Sequence, residues 1–149
     1  MNRLLLLGLV FLNISFTASA SEGLIRYESP YSVDETMARF KNIVLGKGFT
    51  VFSVIDHQQN AAKVGLELEP TQVILFGNPK VGTRLMQCAQ NTAIDLPQKV
   101  LITEDENKVW LAYNDPSYLK NRHLIKGCDL VINKVSGALS SFSKAAIAK

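Results

Sequence analysis

Apolar and polar positions alternate along residues 24–29 (LIRYES), with Ile25, Tyr27 and Ser29 on one side and Leu24, Arg26 and Glu28 on the other. That period of two predicts a first strand, stopped by Pro30. The period then changes. Val33, Met37, Phe40 and Val44 are spaced as one stripe of a helix. Ser32 and Glu35 match a capping box in front of it, and Gly46 and Gly48 supply its stop. Residues 49–56 (FTVFSVID) are rich in β-branched and aromatic side chains and predict a second strand, antiparallel to the first or near it. Asp56 is placed to cap a short helical turn that closes near Gly65. Residues 71–77 carry Val73, Ile74, Leu75 and Phe76 without alternation, which predicts a strand buried on both faces or centrally placed.

Asn78 and Pro79 form a helix start, because Asn is a favoured cap and Pro suits the first helical position. The helix runs to about Ala89. Gly82 inside it costs about 1 kcal/mol of propensity relative to Ala, which argues for a close backbone approach at that point. Residues 91–95 read as loop. Residues 96–104 and 108–114 read as a hairpin closed by Asp105, Glu106 and Asn107, with Trp110 in the core and Tyr113 on the opposite face lining a cleft. Asp115, Pro116 and Ser117 open another helical piece that Gly127 breaks. Cys128, Val131, Val135, Leu139 and Phe142 make the stripe of a last helix, with residues 145–149 frayed.

The amino terminus changes the picture of where the chain works. Arg3, the unbroken apolar run 4–12 and the small residues Ala18 and Ala20 fit a signal peptide cleaved near Ala20. The expectation is a periplasmic or secreted protein, with residues 21–149 as one domain and no further membrane segment. No Cys lies near the cleavage point to carry a lipid. The formal net charge is +3, with basic and acidic residues interspersed. No basic stripe of the kind a nucleic-acid binder carries is visible. In an oxidising compartment the two cysteines, Cys88 and Cys128, are either a disulfide or two separate buried thiols. There is no CxxC and no Cys/His cluster.

Three segments carry a resemblance. FGNPKVGT at 76–83, DLPQKVLITED at 95–105 and VWLAYNDP at 109–116 closely resemble the signature segments of the domain of unknown function 302 family, and the DH at 56–57 is similar to its pattern. The resemblance runs from about Gly23 to Ala138. It implies an α+β, two-layer sandwich: a curved, mainly antiparallel sheet of about five strands with helices on one face, of the TATA-box-binding-protein-like, β-α-β4-α type. The family name supplies no catalytic residue to carry over.

The candidate chemistry gathers at the loop junctions. The amides of Lys80, Val81 and Gly82 at a helix start would suit an anion, with Lys80 and the Thr83 hydroxyl in support; an ordinary capped turn explains Asn78 and Pro79 equally well. There is no P-loop lysine. His57, at the start of a short turn, is either a hydrogen-bonded residue pinned beside Asp56 or an acid–base group, with a metal or haem ligand a poorer reading. His123 sits among basic residues and reads as surface. Asp95 is a turn cap, a base or a ligand, with Lys99 as a partner, and Tyr113 ends its strand near the same motifs. The expectation is therefore a binding module for a small molecule or anion, with no metal of its own, at a sheet end formed by Asn78, Lys80, Gly82, Thr83, Asp95, Tyr113 and His57. The rivals are an enzyme using His57 and Asp95 as an acid–base pair and a structural, dimerising module. No nucleophile signature favours catalysis, and no cofactor is specified.

Overall fold

A computed structural model describes residues 23–149; the expected signal peptide and its cleavage point lie outside the described residues. Five strands, β1 (Leu24–Ser29), β2 (Thr50–Asp56), β3 (Thr71–Gly77), β4 (Gln98–Asp105) and β5 (Lys108–Asn114), form one sheet in the order β1-β5-β4-β3-β2. Every neighbouring pair is antiparallel. The fold is α+β. The first two strands are not neighbours, contrary to the sequence expectation: β1 pairs with β5 and β2 with β3, so they form opposite edges. Alternation within a strand specifies which side faces the core, but not which strand lies alongside. The β4–β5 hairpin turns on Glu106 and Asn107, both in the left-handed region at φ 50° and 60°, as a two-residue turn matching the strand twist requires.

Side chains of one parity point into the core. Ile74 and Phe76 on β3, Val100 and Ile102 on β4, and Leu111 and Tyr113 on β5 are all buried. They meet α1 (Val33–Gly46) and α5 (Asp129–Ile147), the two long helices, through Met37, Phe40 and Val44 on the first and Val135, Leu139 and Phe142 on the second. Phe76 lies edge-on to Phe40 with centroids 5.2 Å apart, and Phe49 lies edge-on to Phe142 at the same separation. Each such pair adds about 0.5–1.5 kcal/mol beyond the area it buries. The run 73–76 is thus split between two environments: Ile74 and Phe76 are fully enclosed, while Val73 and Leu75 are half-buried.

Trp110 reverses expectation in the same way. It lies on the outer side of β5, half-buried, with the Arg26 guanidinium 4.4 Å from its ring centroid. Tyr113 is the residue in the core, 3 % exposed. The odd spacing separates the two residues correctly but does not say which side is covered.

Ser32 Oγ accepts from the Glu35 amide at 3.2 Å to start α1. The far end of α5 is ordered, not frayed: Ala146 is fully buried, and Arg39 of α1 donates to the Ala146 and Ala148 carbonyls at 2.6 Å each while stacking on Tyr31. A guanidinium here satisfies carbonyls that a helix end leaves unpaired and complements its dipole. Three shorter helices decorate the sheet: α2 (His57–Lys63), α3 (Pro79–Cys88) and α4 (Pro116–Arg122). Where residues 91–95 are expected as loop, a 3-10 turn forms over Gln90–Ile94; the Leu96–Pro97 peptide is cis.

Candidate functional site

The sheet end where β3 runs into α3 opens on a cavity of about 460 Å³. Its floor is Phe76 and Gly77 at the end of β3 and Pro97 and Gln98 at the start of β4. One wall is α3, through Val81, Gly82, Leu85 and Met86, and the other is α5, through Val135, Leu139 and Phe142. Phe52 stands at its margin. The β2–β3 register slips between Val51 and Ser53, which leaves Phe52 at a bulge with its ring 55 % exposed. A bulge re-aims a side chain in this way. A Cβ placed on Gly77 would lie 3.6 Å from the Phe52 ring and 3.8 Å from Pro97.

The local sequence explains the walls. Asn78 caps α3, its Oδ1 accepting from the Lys80 amide at 3.0 Å, and Pro79 occupies the first helical position. Cys88 at the end of α3 is bonded to Cys128 just before α5, with Cα atoms 6.4 Å apart. The bridge ties together the two helices that form the cavity walls.

The lining is mostly apolar. Its polar side chains are Asn78, Thr83, Gln98 and Lys134. Gln98 Nε2 is buried and finds no hydrogen-bond partner among the described residues, an arrangement that costs about 1–3 kcal/mol in desolvation. Lys134 is the single charged residue in the lining.

Of the residues expected from the sequence to share a site, Asn78, Gly82 and Thr83 line this cavity. Lys80, Asp95, Tyr113 and His57 do not. The Lys80 amide is taken by Asn78 Oδ1, and those of Val81 and Gly82 by the Asn78 carbonyl at 3.0 and 2.9 Å. These amides, expected to be open to an anion, are satisfied by the cap itself. Lys80 is exposed. Gly82 faces open space: a Cβ there would meet only Leu96 Cδ1, at an ordinary 3.8 Å, so no close backbone approach demands glycine.

Asp95 is engaged elsewhere. Its Oδ2 lies 2.5 Å from His123 Nε2 and its Oδ1 3.4 Å from an Arg122 nitrogen. His123, read as surface from its basic neighbours, has a side chain only 7 % exposed. Lys99 bonds the Asp95 carbonyl oxygen at 3.0 Å, not the carboxylate. His57 is exposed and follows Asp56, which caps α2 through the Gln59 amide at 2.8 Å. Thr50, at the other end of β2, pairs with the cavity residue Gly77. The strand between separates His57 from the cavity by roughly 20 Å. Tyr113 sits against Tyr27, ring centroids 6.3 Å apart, and burial above all, then the neighbouring Tyr27, pushes its phenol well above the usual range. Among the described residues no three His, Cys, Asp or Glu side chains are grouped as a metal ion would need.

Phe49, Phe52, Met86, Gln98 and Lys134 are lining residues that the sequence reading did not select. The one available signal was the break in alternation at Val51 and Phe52. Periodicity marks Val135, Leu139 and Phe142 as inward-facing, yet an apolar side chain that fills a core and one that walls a cavity have the same period.

Residues 25–142 match the family described as domain of unknown function DUF302. The chain is 45% identical over 102 residues to the fluoride-specific ion channel FluC 1 of Brucella suis biovar 1 (strain 1330), a match covering 68% of this chain and 40% of that relative. The fluoride-specific ion channel FluC 2 of Brucella melitensis biotype 1 is 45% identical over 102 residues, covering 68% of this chain and 38% of the relative. The chain thus spans about two fifths of the length of these curated relatives. No helix among the described residues is long and apolar enough to cross a membrane. The crystal structure of an uncharacterized conserved DUF302 protein from Bacillus stearothermophilus superposes with a TM-score of 0.77 at 14% identity, over 85% of this chain and 99% of that one.

Proposed function

The chain belongs to the DUF302 family, whose name assigns no activity, and from that premise we propose that it is a small-ligand-binding protein that uses the cavity between α3, α5 and the end of the sheet. The observation that carries this reading is a mostly apolar cavity of about 460 Å³ at the sheet end, with Asn78, Thr83, Gln98 and Lys134 as its polar side chains. Ligand sites are of this size and character: apolar walls with a few polar groups that fix orientation. A well-packed interior leaves few voids larger than a water molecule. Binding is favoured over catalysis because the lining holds no Asp, Glu, His, Cys or Tyr, and its one group able to transfer a proton, Lys134, is exposed to solvent. The enzyme reading through His57 and Asp95 loses its support, since the length of β2 separates the first from the cavity and Asp95 is committed to His123 and Arg122.

The signal-peptide pattern at residues 1–20 and the Cys88–Cys128 bridge support a place of action outside the cytoplasm. The names of the Brucella relatives favour a second role for the family's domain, as a module joined to a channel, because the match covers only two fifths of their length. Fluoride conduction itself is not proposed for this chain.

Titration with the neutral apolar fluorophore N-phenylnaphthylamine tests the binding reading. One saturable site is expected, lost in Gly82→Leu and in Ala138→Leu, each of which projects into the cavity while thermal unfolding stays cooperative. Equal fluorophore binding by the wild type and both filled variants would refute it.

A further inference from the structure

We infer that the ligand of this cavity is an amphiphile with an anionic head, of the class of medium-chain carboxylates; the inference rests on the binding reading above and specifies its chemistry. The walls present aromatic and aliphatic surface: Phe49, Phe52, Phe76, Leu85, Leu139 and Phe142. Such walls take a flexible hydrocarbon segment, whose transfer from water is favourable in proportion to the area buried. Two of the polar groups are donors. Asn78 Oδ1 is already occupied by the Lys80 amide, which leaves its NH₂ to donate. Lys134, exposed to solvent at the cavity margin, is the one charged side chain of the lining and brings an ammonium. Thr83 can act either way. A lining that offers donors is complemented by a ligand that offers acceptors.

Charge narrows the class further. Lys134 makes no ion pair among the described residues, and no acidic side chain lines the cavity to neutralise it. A cationic head would be repelled by Lys134 with no acidic lining side chain to offset it. A neutral hydroxyl head gains no charge attraction from Lys134, whereas a carboxylate accepts charge-assisted hydrogen bonds from both an ammonium and a carboxamide. The volume sets the length. At roughly 30 Å³ for each water-sized group in a liquid, the cavity holds roughly fifteen non-hydrogen atoms. That suits a saturated chain of about ten carbons with its carboxylate.

Displacement of N-phenylnaphthylamine by decanoate, decanol and decylammonium, each below its micelle concentration at neutral pH, tests the inference. Decanoate is expected to displace at concentrations about tenfold lower than decanol, as a hydrogen bond to a charged group implies, with decylammonium weakest. Lys134→Gln should bring decanoate to the level of decanol within the same variant. Lys134→Glu should make decylammonium the strongest competitor. Direct calorimetry with decanoate provides the same comparison independently of the fluorophore. Equal affinity for decanoate and decanol in the wild type, or a decanoate affinity indifferent to Lys134→Gln, would overturn the head-group assignment while leaving the binding function intact. Failure of the fluorophore and all three decyl compounds to bind would remove both.

Discussion

Asp95 and His123, twenty-eight positions apart in the chain, meet with Oδ2 and Nε2 at 2.5 Å, the carboxylate 17 % and the imidazole 7 % exposed. The pair joins the segment carrying Leu96 and Pro97 of the cavity lining to the end of α4. Truncating either partner leaves the other largely buried without its hydrogen bond, a loss of about 1–3 kcal/mol. Asp95→Ala and His123→Ala should each lower stability by that amount in urea unfolding. The double variant should lose no more than about the larger single loss, giving a coupling of about 1 kcal/mol or more. Additive losses would show that the contact contributes nothing of its own.

Tyr113 makes the protein sensitive to alkali. Its folded-state pKa is raised, with burial the largest cause, so the neutral phenol is the form the fold accepts. A raised folded value contributes stability that is complete below the unfolded pKa of about 10 and declines as pH rises above it. Tyr27 opposes this in part, its phenol being lowered chiefly by its hydrogen bond with Ser140. Unfolding followed between neutral pH and strong alkali should show a decline starting near the usual tyrosine range. Tyr113→Phe should flatten that decline, and an unchanged slope would exclude Tyr113 as its source.

Reduction of the Cys88–Cys128 bridge opens a loop of 40 residues. The chain-entropy relation gives a loss of roughly 4 kcal/mol, or a Tm lower by roughly 15 °C in a domain of this size. Cys88→Ser with Cys128→Ser should behave like the reduced wild type in calorimetry. Because the bridge ties α3 to α5, fluorophore binding should weaken alongside. A Tm unchanged by reductant would contradict the bonded arrangement.

Gly82→Ala should stabilise α3. Its Cβ has room, with Leu96 Cδ1 at 3.8 Å, and the exchange of Gly for Ala within a helix contributes about 1 kcal/mol. The added methyl faces the cavity, so the same variant should bind the fluorophore less tightly. Greater stability with weaker binding is the expected pair of results from thermal unfolding and titration. A loss of stability would mean that glycine is required there after all.

What was legible in the sequence follows from which forces are local. Ser32, Asp56, Asn78 and Asp115 act on amides two or three residues away, and all four caps form as their neighbours imply. The family motifs 76–83 and 95–105 pointed to one end of the sheet, and there Asn78, Gly82, Thr83, Leu96 and Pro97 line one cavity. Other polar residues of those motifs lie outside the cavity. Lys80 is exposed, and Asp95 is held by a histidine twenty-eight residues onward that no local rule pairs with it. The apolar lining residues carried the opposite disguise, since Leu85 and Leu139 have the spacing of ordinary core positions. The exchange of Trp110 for Tyr113 in the core has the same root. Helix cover on one side of the sheet is a tertiary fact, and strand periodicity has no handle on it.

The strand order has a consequence for how the chain is made. β1 has a single neighbour in the sheet, β5, and α1 packs on α5, the last helix of the chain. The first strand therefore has no sheet partner until residues 108–114 have been made, although α1 can already pack on β2 and β3 through contacts such as Phe40 with Phe76. Non-local pairing of this kind delays folding until the whole domain is present. Until then the backbone amides and carbonyls of residues 24–29 face water on both edges, and the strand is a pattern without a ladder.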